Sequence, residues 1–395
     1  EQACWQVCAA QAGRGDRAER RGGGSDGPPL VGREQDLLEL EVALARAMTG
    51  QGQTVAIMGE GGLGKTRLLQ EFLCRAQTRD CARLVLNCNR YERGGDYHPI
   101  KSYLHWIAGV EIGDDDITRA GKLRQVFSAV WGLAPRAIDD MLLLLDAHPD
   151  RDARLSGDAV VLRRWLCDEL TARLIEMQGV FPALVIVVED AHWLDPSSTE
   201  FLAGLQAALK DRPALLVFSQ RSAGPEDMPV LPAQRVLRLA PLSGRQSRVL
   251  IDSLLGGHSD DQAMVDWIRG KARGVPLFLS AFADYALRRG KSDFGAPDLP
   301  LDLLDLLEQS LGHLPEPTRR FAQAAAVMGP TFRPELIAAL LDEDEDQTDQ
   351  HVQLLMREKL AGERPGIPGL TFAHDLVSEA IYGNLGAELC RRLHA

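Results

Sequence analysis

Two rhythms of apolar residues run along this chain. Where a polar tract ends at Leu30, the stretch REQDLLELEVALARAM repeats apolar positions three and four apart, which predicts an amphipathic helix over Glu34–Met48. Short, nearly continuous apolar runs come next: TVAIM (54–58), ARLVLNC (82–88), ALVIVV (183–188), ALLVFS (214–219) and RVLRL (235–239). Rich in Val, Leu and Ile, they have the character of strands covered on both faces. Helical spacing returns between them over Thr66–Ala76, Ala159–Met177 and Ser198–Leu209. Alternating elements of this kind predict an α/β fold built on a doubly wound parallel sheet.

Past residue 240 the strand-like runs fade. Helical patterns cover Gly244–Leu255, Asp261–Arg269, Pro276–Arg289, Leu301–Leu314, Pro317–Met328 and Pro334–Leu341, which predicts a second, mostly helical region. Its last part, GLTFAHDLVSEAIYGNL, combines a short strand with a helix. RGDRAERRGGGSDGPP (14–29) has almost nothing to bury and reads as a linker. His98 and Pro99 fall in what reads as a long, regulatory or ordinary loop after the second strand, and the acidic run DEDED (342–346) as a solvated helix end or loop.

Composition narrows the classes. The 395 residues carry a net charge of −12, which argues against a nucleic-acid surface along the whole chain and against an anionic membrane. No run approaches the about 18 consecutive apolar residues of a membrane span, and the first residues lack the long apolar core of a signal peptide. The chain has seven cysteines, an odd number, and Cys4 and Cys8 have no second ligand pair nearby. Such spacing fits neither a disulfide framework nor a zinc site, so the expected compartment is the reducing cytoplasm.

One stretch carries specific chemistry. Gly59-Glu60-Gly61-Gly62-Leu63-Gly64-Lys65-Thr66 matches G-x-x-x-x-G-K-[ST] without a mismatch, with a predicted strand before it and an apolar-periodic helix after it. The glycines allow close backbone approach, so that successive N–H groups point at phosphate oxygens, and the helix N-terminus favours negative charge. ATP or ADP is the expected ligand, with Lys65 at the β-phosphate and, in ATP, the γ-phosphate, and the Thr66 hydroxyl at Mg²⁺; Arg67 follows in the same helical turn.

A second acidic group is needed beside such a loop, and ALVIVVEDAHWLD supplies two, Glu189 and Asp190, at the end of a buried strand. Adjacent carboxylates there are costly unless they face a cation or water. Glu189 is the candidate for Mg²⁺ and Asp190 for positioning the attacking water, and the two roles are open to exchange. Arg221, just past ALLVFSQ, faces the crevice where open α/β sheets bind ligands and is a candidate γ-phosphate sensor. Trp193 reads as core packing, and His192 as facing the γ-phosphate or a neighbouring subunit.

Together these segments resemble the STAND class of signal-transduction P-loop ATPases, as found in bacterial LuxR-type regulators and multidomain class III cyclase or kinase proteins. The matching pieces are LVGREQDLLEL (30–40), GEGGLGKTRLLQEF (59–72), LNCNRYERGGDYHPIKSYL (86–104), VVEDAHWLDPSS (187–198), SQRS (219–222), GVPLFL (274–279) and FAHDLVSEAIYGNL (372–385). With 1–29 read as a flexible segment, the resemblance implies a nucleotide-binding domain at 30–223, a helical lid at 224–297 and a winged-helix-like domain at 298–395. It implies that Val31, Gly32 and Arg33 lie near adenine, that Pro276 packs on the base, and that His374 touches the phosphates. Two departures from the family pattern, Glu189 where Asp is frequent and Gln220 before Arg221, imply slow hydrolysis.

Three functions follow as expectations. The first is a regulatory switch, closed with ADP and opened by ATP, coupled to effector and sensor domains outside these residues and able to assemble into an ATP-dependent homo-oligomer. The second is an AAA-like motor, and the third a transcription regulator acting through the winged helix. The start without Met implies a piece of a longer protein.

Overall fold

The computed structural model describes residues 29–77, 79–88, 96–110, 114–150, 158–222, 224, 226–256, 261–289, 311–358, 360–363, 369–372, 375–383 and 385. They form two compact units. The first comprises Gly32–Glu60 and Gly64–Ala240; the second takes in residues 29–31, the short stretch Gly61–Leu63, and the chain from Pro241 onward.

The first unit is organised by five parallel strands, β1 (Gln53–Met58), β2 (Ala82–Asn87), β3 (Leu184–Glu189), β4 (Ala214–Gln220) and β5 (Arg235–Arg238), in the order β2-β3-β4-β1-β5. β4 is buried along its whole length, and β3 everywhere but at Glu189. That is why their sequences read as continuous apolar runs rather than as alternation. β5 lies at the edge and does alternate, exposing Val236 and Arg238. The amphipathic helix α1 spans Glu34–Met48 as its period predicts, with Leu37, Leu40, Ala43, Leu44 and Ala47 on the buried face. Helix α2 is Lys65–Gln77.

The segment after β2 departs from expectation. His98 and Pro99 do not lie in a loop: they open helix α3 (His98–Ile107), followed by α4 (Asp116–Gln125), a π-helical turn (Val126–Val130) and α5 (Pro135–Leu144). The local signals are ordinary ones. Asp115 caps α4 by accepting the Thr118 N–H at 2.7 Å, and Pro135 sits in the first turn of α5, where its missing donor costs nothing. Leu104, Leu123, Phe127, Met141 and Leu142 from these helices join the main core. Helix α6 (Ala159–Gln178) then leads back to β3, and α7 (Pro196–Ala208) joins β3 to β4.

In the second unit, α8 (Gly244–Leu255), α9 (Gln262–Ala272) and α10 (Pro276–Arg289) surround one apolar cluster that includes Leu250, Ile268, Leu279 and Phe282, with Val31 packed against it. A second cluster joins α11 (Glu316–Met328), α12 (Pro334–Leu341), α13 (Glu345–Arg357) and α14 (Asp375–Gly383) to strands β6 (Thr331–Phe332), β7 (Ala361–Glu363) and β8 (Leu370–Phe372). These strands make an antiparallel sheet in the order β6-β8-β7. The acidic run marks the α12–α13 junction: Asp342 ends α12 in the left-handed conformation, and Asp344 caps α13 with Gln347 in a reciprocal box. The helix expected over Leu301–Leu314 lies mostly outside the described residues.

Candidate nucleotide site

Residues 59–64 join the buried strand β1 to the first residue of α2. Gly62 (φ +79°) and Gly64 (φ +91°) take a backbone that L side chains rarely adopt, which lets the loop curl around its own centre. Lys65 is buried, and its ammonium donates to the carbonyl oxygens of Gly59 and Glu60, both at 2.9 Å. A cation at a helix N-terminus faces the positive end of the dipole, so an anion at this place is favoured by both. Leu63 is buried, Glu60 exposed, and Thr66 half-buried; Arg67 lies 3.6 Å from Glu71 one turn along α2. The tip of the loop, Gly61–Leu63, groups with the second unit. There the Leu277 N–H donates to the Gly62 carbonyl at 3.2 Å, and a Cβ added to Gly62 would meet Val275 Cγ1 and Leu277 Cβ at 3.1 Å.

The carboxyl end of β3 is built with equal care. Glu189 is the last strand residue, and Asp190 turns the chain in the left-handed region (φ 53°, ψ 44°), which a short polar side chain tolerates. The Asp190 N–H donates to Ser219 Oγ at 3.0 Å, and the Arg221 N–H donates to His192 Nδ1 at 3.4 Å. β4 lies between β3 and β1, and the Ser222 N–H donates to the Gly59 carbonyl at 3.3 Å. The sheet therefore carries the start of the loop, the acidic pair and Arg221 at the same ends of three neighbouring strands, the edge at which open α/β sheets take ligands.

The donor set suits magnesium. Thr66 offers a hydroxyl and Glu189 a half-buried carboxylate, both hard oxygen ligands, and no cluster of three or more metal-binding side chains occurs among the described residues. Mg²⁺ is ordinarily held this sparingly, by one or two protein oxygens together with phosphates and water.

Other candidate residues have structural partners of their own. The Arg33 guanidinium, buried, donates to the Ala240 carbonyl at 2.7 Å and lies 3.9 Å from Asp36, and burial pulls its pKa down. The Gly32 N–H donates to Glu34 Oε1. Pro276 is the first residue of α10. Gln220, the departure noted before Arg221, is buried and accepts the Val230 N–H while donating to the Met228 carbonyl, so it braces the loop after β4. His374 lies outside the described residues. Trp193 packs against the main core, as read.

One residue of the acidic motif has a role that spacing did not reveal. Asp195 is 4 % exposed, and its carboxylate accepts the N–H groups of Tyr97, His98 and Ser198 and the Ser198 hydroxyl at 2.6–3.2 Å. It thus caps α7 and α3 at once. The DPSS end of the motif is a clasp between two helix starts.

The chain is similar to several known proteins. Residues 29–218 match the family model described as AAA ATPase domain. An uncharacterized protein of Rhizobium meliloti (strain 1021) is 27 % identical over 372 residues, which is 91 % of this chain and 36 % of that protein. The STAND protein with a tetratricopeptide repeat sensor from Pyrococcus horikoshii superposes with a TM-score of 0.50 at 14 % identity, over 93 % of this chain and 45 % of its own. The ORC1 protein of Aeropyrum pernix, solved in complex with DNA, gives a TM-score of 0.43 at 15 % identity over 91 % of this chain and 94 % of its own. The chain thus spans less than half the length of the first two. Among the described residues no helix is long and apolar enough to cross a membrane. Residues 29–218 are thus similar to the AAA ATPase domain, and the chain shares the fold of the STAND protein from Pyrococcus horikoshii.

Proposed function

We propose that this chain is the adenine-nucleotide switch of a longer signalling protein, closed with ADP, opened by exchange for ATP, and reset by slow Mg²⁺-dependent hydrolysis. The observation that carries the reading is the tip of the phosphate loop: Gly62 is hydrogen-bonded to Leu277 and packed against Val275, so the loop that reports phosphates belongs with the start of α10. A ligand shifts a conformational equilibrium only through different affinities for its two shapes. A loop tip shared with the lid supplies such a difference when a γ-phosphate enters.

The residues then have defined tasks. Lys65 exchanges the carbonyls of Gly59 and Glu60 for phosphate oxygens, trading neutral acceptors for anionic ones. Thr66 and Glu189 hold Mg²⁺, which, when bound, draws charge from the β- and γ-phosphates. Asp190 positions the attacking water, and Arg221 senses the γ-phosphate. Val31, Gly32 and Arg33 border the adenine, with Pro276 stacked on the base and His374 on the phosphates in the closed state. We read residues 298–395 as the winged-helix-like domain, used as a clamp. Helix α13 exposes Glu345, Asp346 and Asp349, a face that a nucleic-acid backbone repels. Effector and sensor domains, ATP-dependent self-assembly and a cytoplasmic setting complete the proposal.

The experiment compares ADP and ATP affinities of the wild type, Lys65→Ala and Asp190→Asn. The expected result is lost binding in the first variant, and bound but unhydrolysed ATP in the second. Full nucleotide binding by Lys65→Ala contradicts the proposal.

A further inference from the structure

We infer that His192 is a positioning residue: its imidazole holds Arg221 in register with the acidic pair that ends β3. The inference rests on the proposed function, because it concerns how Asp190 and Arg221 are aligned for one phosphate.

The turn after β3 is tied to the end of β4 at two points. The Asp190 N–H donates to the hydroxyl of buried Ser219 at 3.0 Å, and the Arg221 N–H donates to His192 Nδ1 at 3.4 Å. The first tie involves the acid's own backbone and the second the arginine's own backbone. An accepting Nδ1 needs its lone pair, so the neutral ring carries its proton on Nε2. The same Nδ1 lies 3.9 Å from an Asp190 carboxylate oxygen, beyond hydrogen-bond reach, so the ring's bond goes to the backbone of the arginine while the acid stands beside it. The ring plane is set from the side by Trp193, 4.8 Å between centroids at 42°. The Trp193 N–H in turn closes the short turn on the Asp190 carbonyl at 2.9 Å.

A residue present only for packing needs a ring; one that aligns Arg221 needs an acceptor. The two requirements separate cleanly by substitution. His192→Phe keeps the ring against Trp193 and removes the acceptor. His192→Asn gives up the ring and places a side-chain oxygen near the Nδ1 position. Ser219→Ala removes the other tie.

The test measures ATP and ADP affinities with Mg²⁺ by titration calorimetry, together with single-turnover hydrolysis, on the full chain. ADP affinity is expected to stay within about twofold of wild type in all three variants, since no γ-phosphate is involved. His192→Phe is expected to lose about tenfold or more in hydrolysis rate, and its preference for ATP over ADP should fall to that of Arg221→Ala. His192→Asn should recover most of both, and Ser219→Ala should show a partial loss. Wild-type behaviour of His192→Phe overturns the inference, as does equal loss in the Phe and Asn variants with unchanged melting. If His192→Phe fails to fold, the Asn and Ser219 variants decide: wild-type behaviour of Ser219→Ala with a lost Asn variant overturns it. Should the wild type bind neither nucleotide, the proposed function falls and this inference with it, an outcome distinct from loss in the variants alone.

Discussion

Gly62→Ala is the substitution whose cost follows most directly from the geometry. Gly62 sits at φ +79°, where an L side chain costs about 1–2 kcal/mol. Its new methyl would stand 3.1 Å from both Val275 Cγ1 and Leu277 Cβ, so one side or the other must give by a few tenths of an ångström. Forcing extra volume into a packed place costs about 1–3 kcal/mol. Any shift also strains the Leu277 N–H to Gly62 carbonyl bond, 3.2 Å at rest, which is worth about 1 kcal/mol. The first two sum to about 2–5 kcal/mol, and full loss of the hydrogen bond would raise this to about 3–6 kcal/mol.

Gly64→Ala is the internal control. Gly64 has a similar backbone (φ +91°), but a Cβ there meets no protein atom within 4 Å. It should lose only the conformational part, about 1–2 kcal/mol. Urea unfolding without nucleotide measures both, and ADP titration of the same samples measures binding. Gly62→Ala should unfold at clearly lower urea than Gly64→Ala. Equal midpoints for the two variants, or a wild-type midpoint for Gly62→Ala, would refute the packing of the loop tip against the start of α10.

Other consequences are open to simpler tests. Lys65→Ala gives up its charge-assisted contact to the β-phosphate, worth about 1.5–3 kcal/mol, so ADP affinity measured by calorimetry should fall by at least about tenfold. Asp195→Ala leaves the amides of Tyr97, His98 and Ser198 without their acceptor in a buried place and should lower denaturant stability by about 2–5 kcal/mol, whereas a loss below about 0.5 kcal/mol would contradict the double-cap role. Burial, followed by the charges of Arg119, Lys101 and His98, lowers the His105 pKa from 6.5 to about 4. Its folded pKa is depressed, so the unfolded chain binds the extra proton between these values, and the contribution present above pH 6.5 is lost as pH falls toward about 4. Urea midpoints across that window should drop less steeply for His105→Leu than for wild type.

Much of the sheet and several helices were legible because their burial is one- or two-sided throughout. β3 and β4 read as unbroken apolar runs, and α1, α8, α10 and α12 begin and end where period, caps and prolines place them. The helices between Asp96 and Asp146 were hidden for a different reason. α3 follows Tyr97 in the left-handed conformation, and its first amides are satisfied by Asp195, a residue 98 positions away, so Pro99 in its first turn is the local start signal while the cap itself is distant. Glu189, Asp190 and Arg221 were visible as types at strand ends, and Lys65 through the glycine-rich motif before its helix. The tie from Arg221 to His192 depends on which strands are neighbours, which spacing along the chain does not encode.

The most direct test of the switch is made on the protein as purified, with no nucleotide added: denature it and identify what is released by ion-pair chromatography. A self-locked switch predicts near-stoichiometric ADP. Release of no nucleotide, with rapid steady turnover once ATP is supplied, would contradict it and point to a motor.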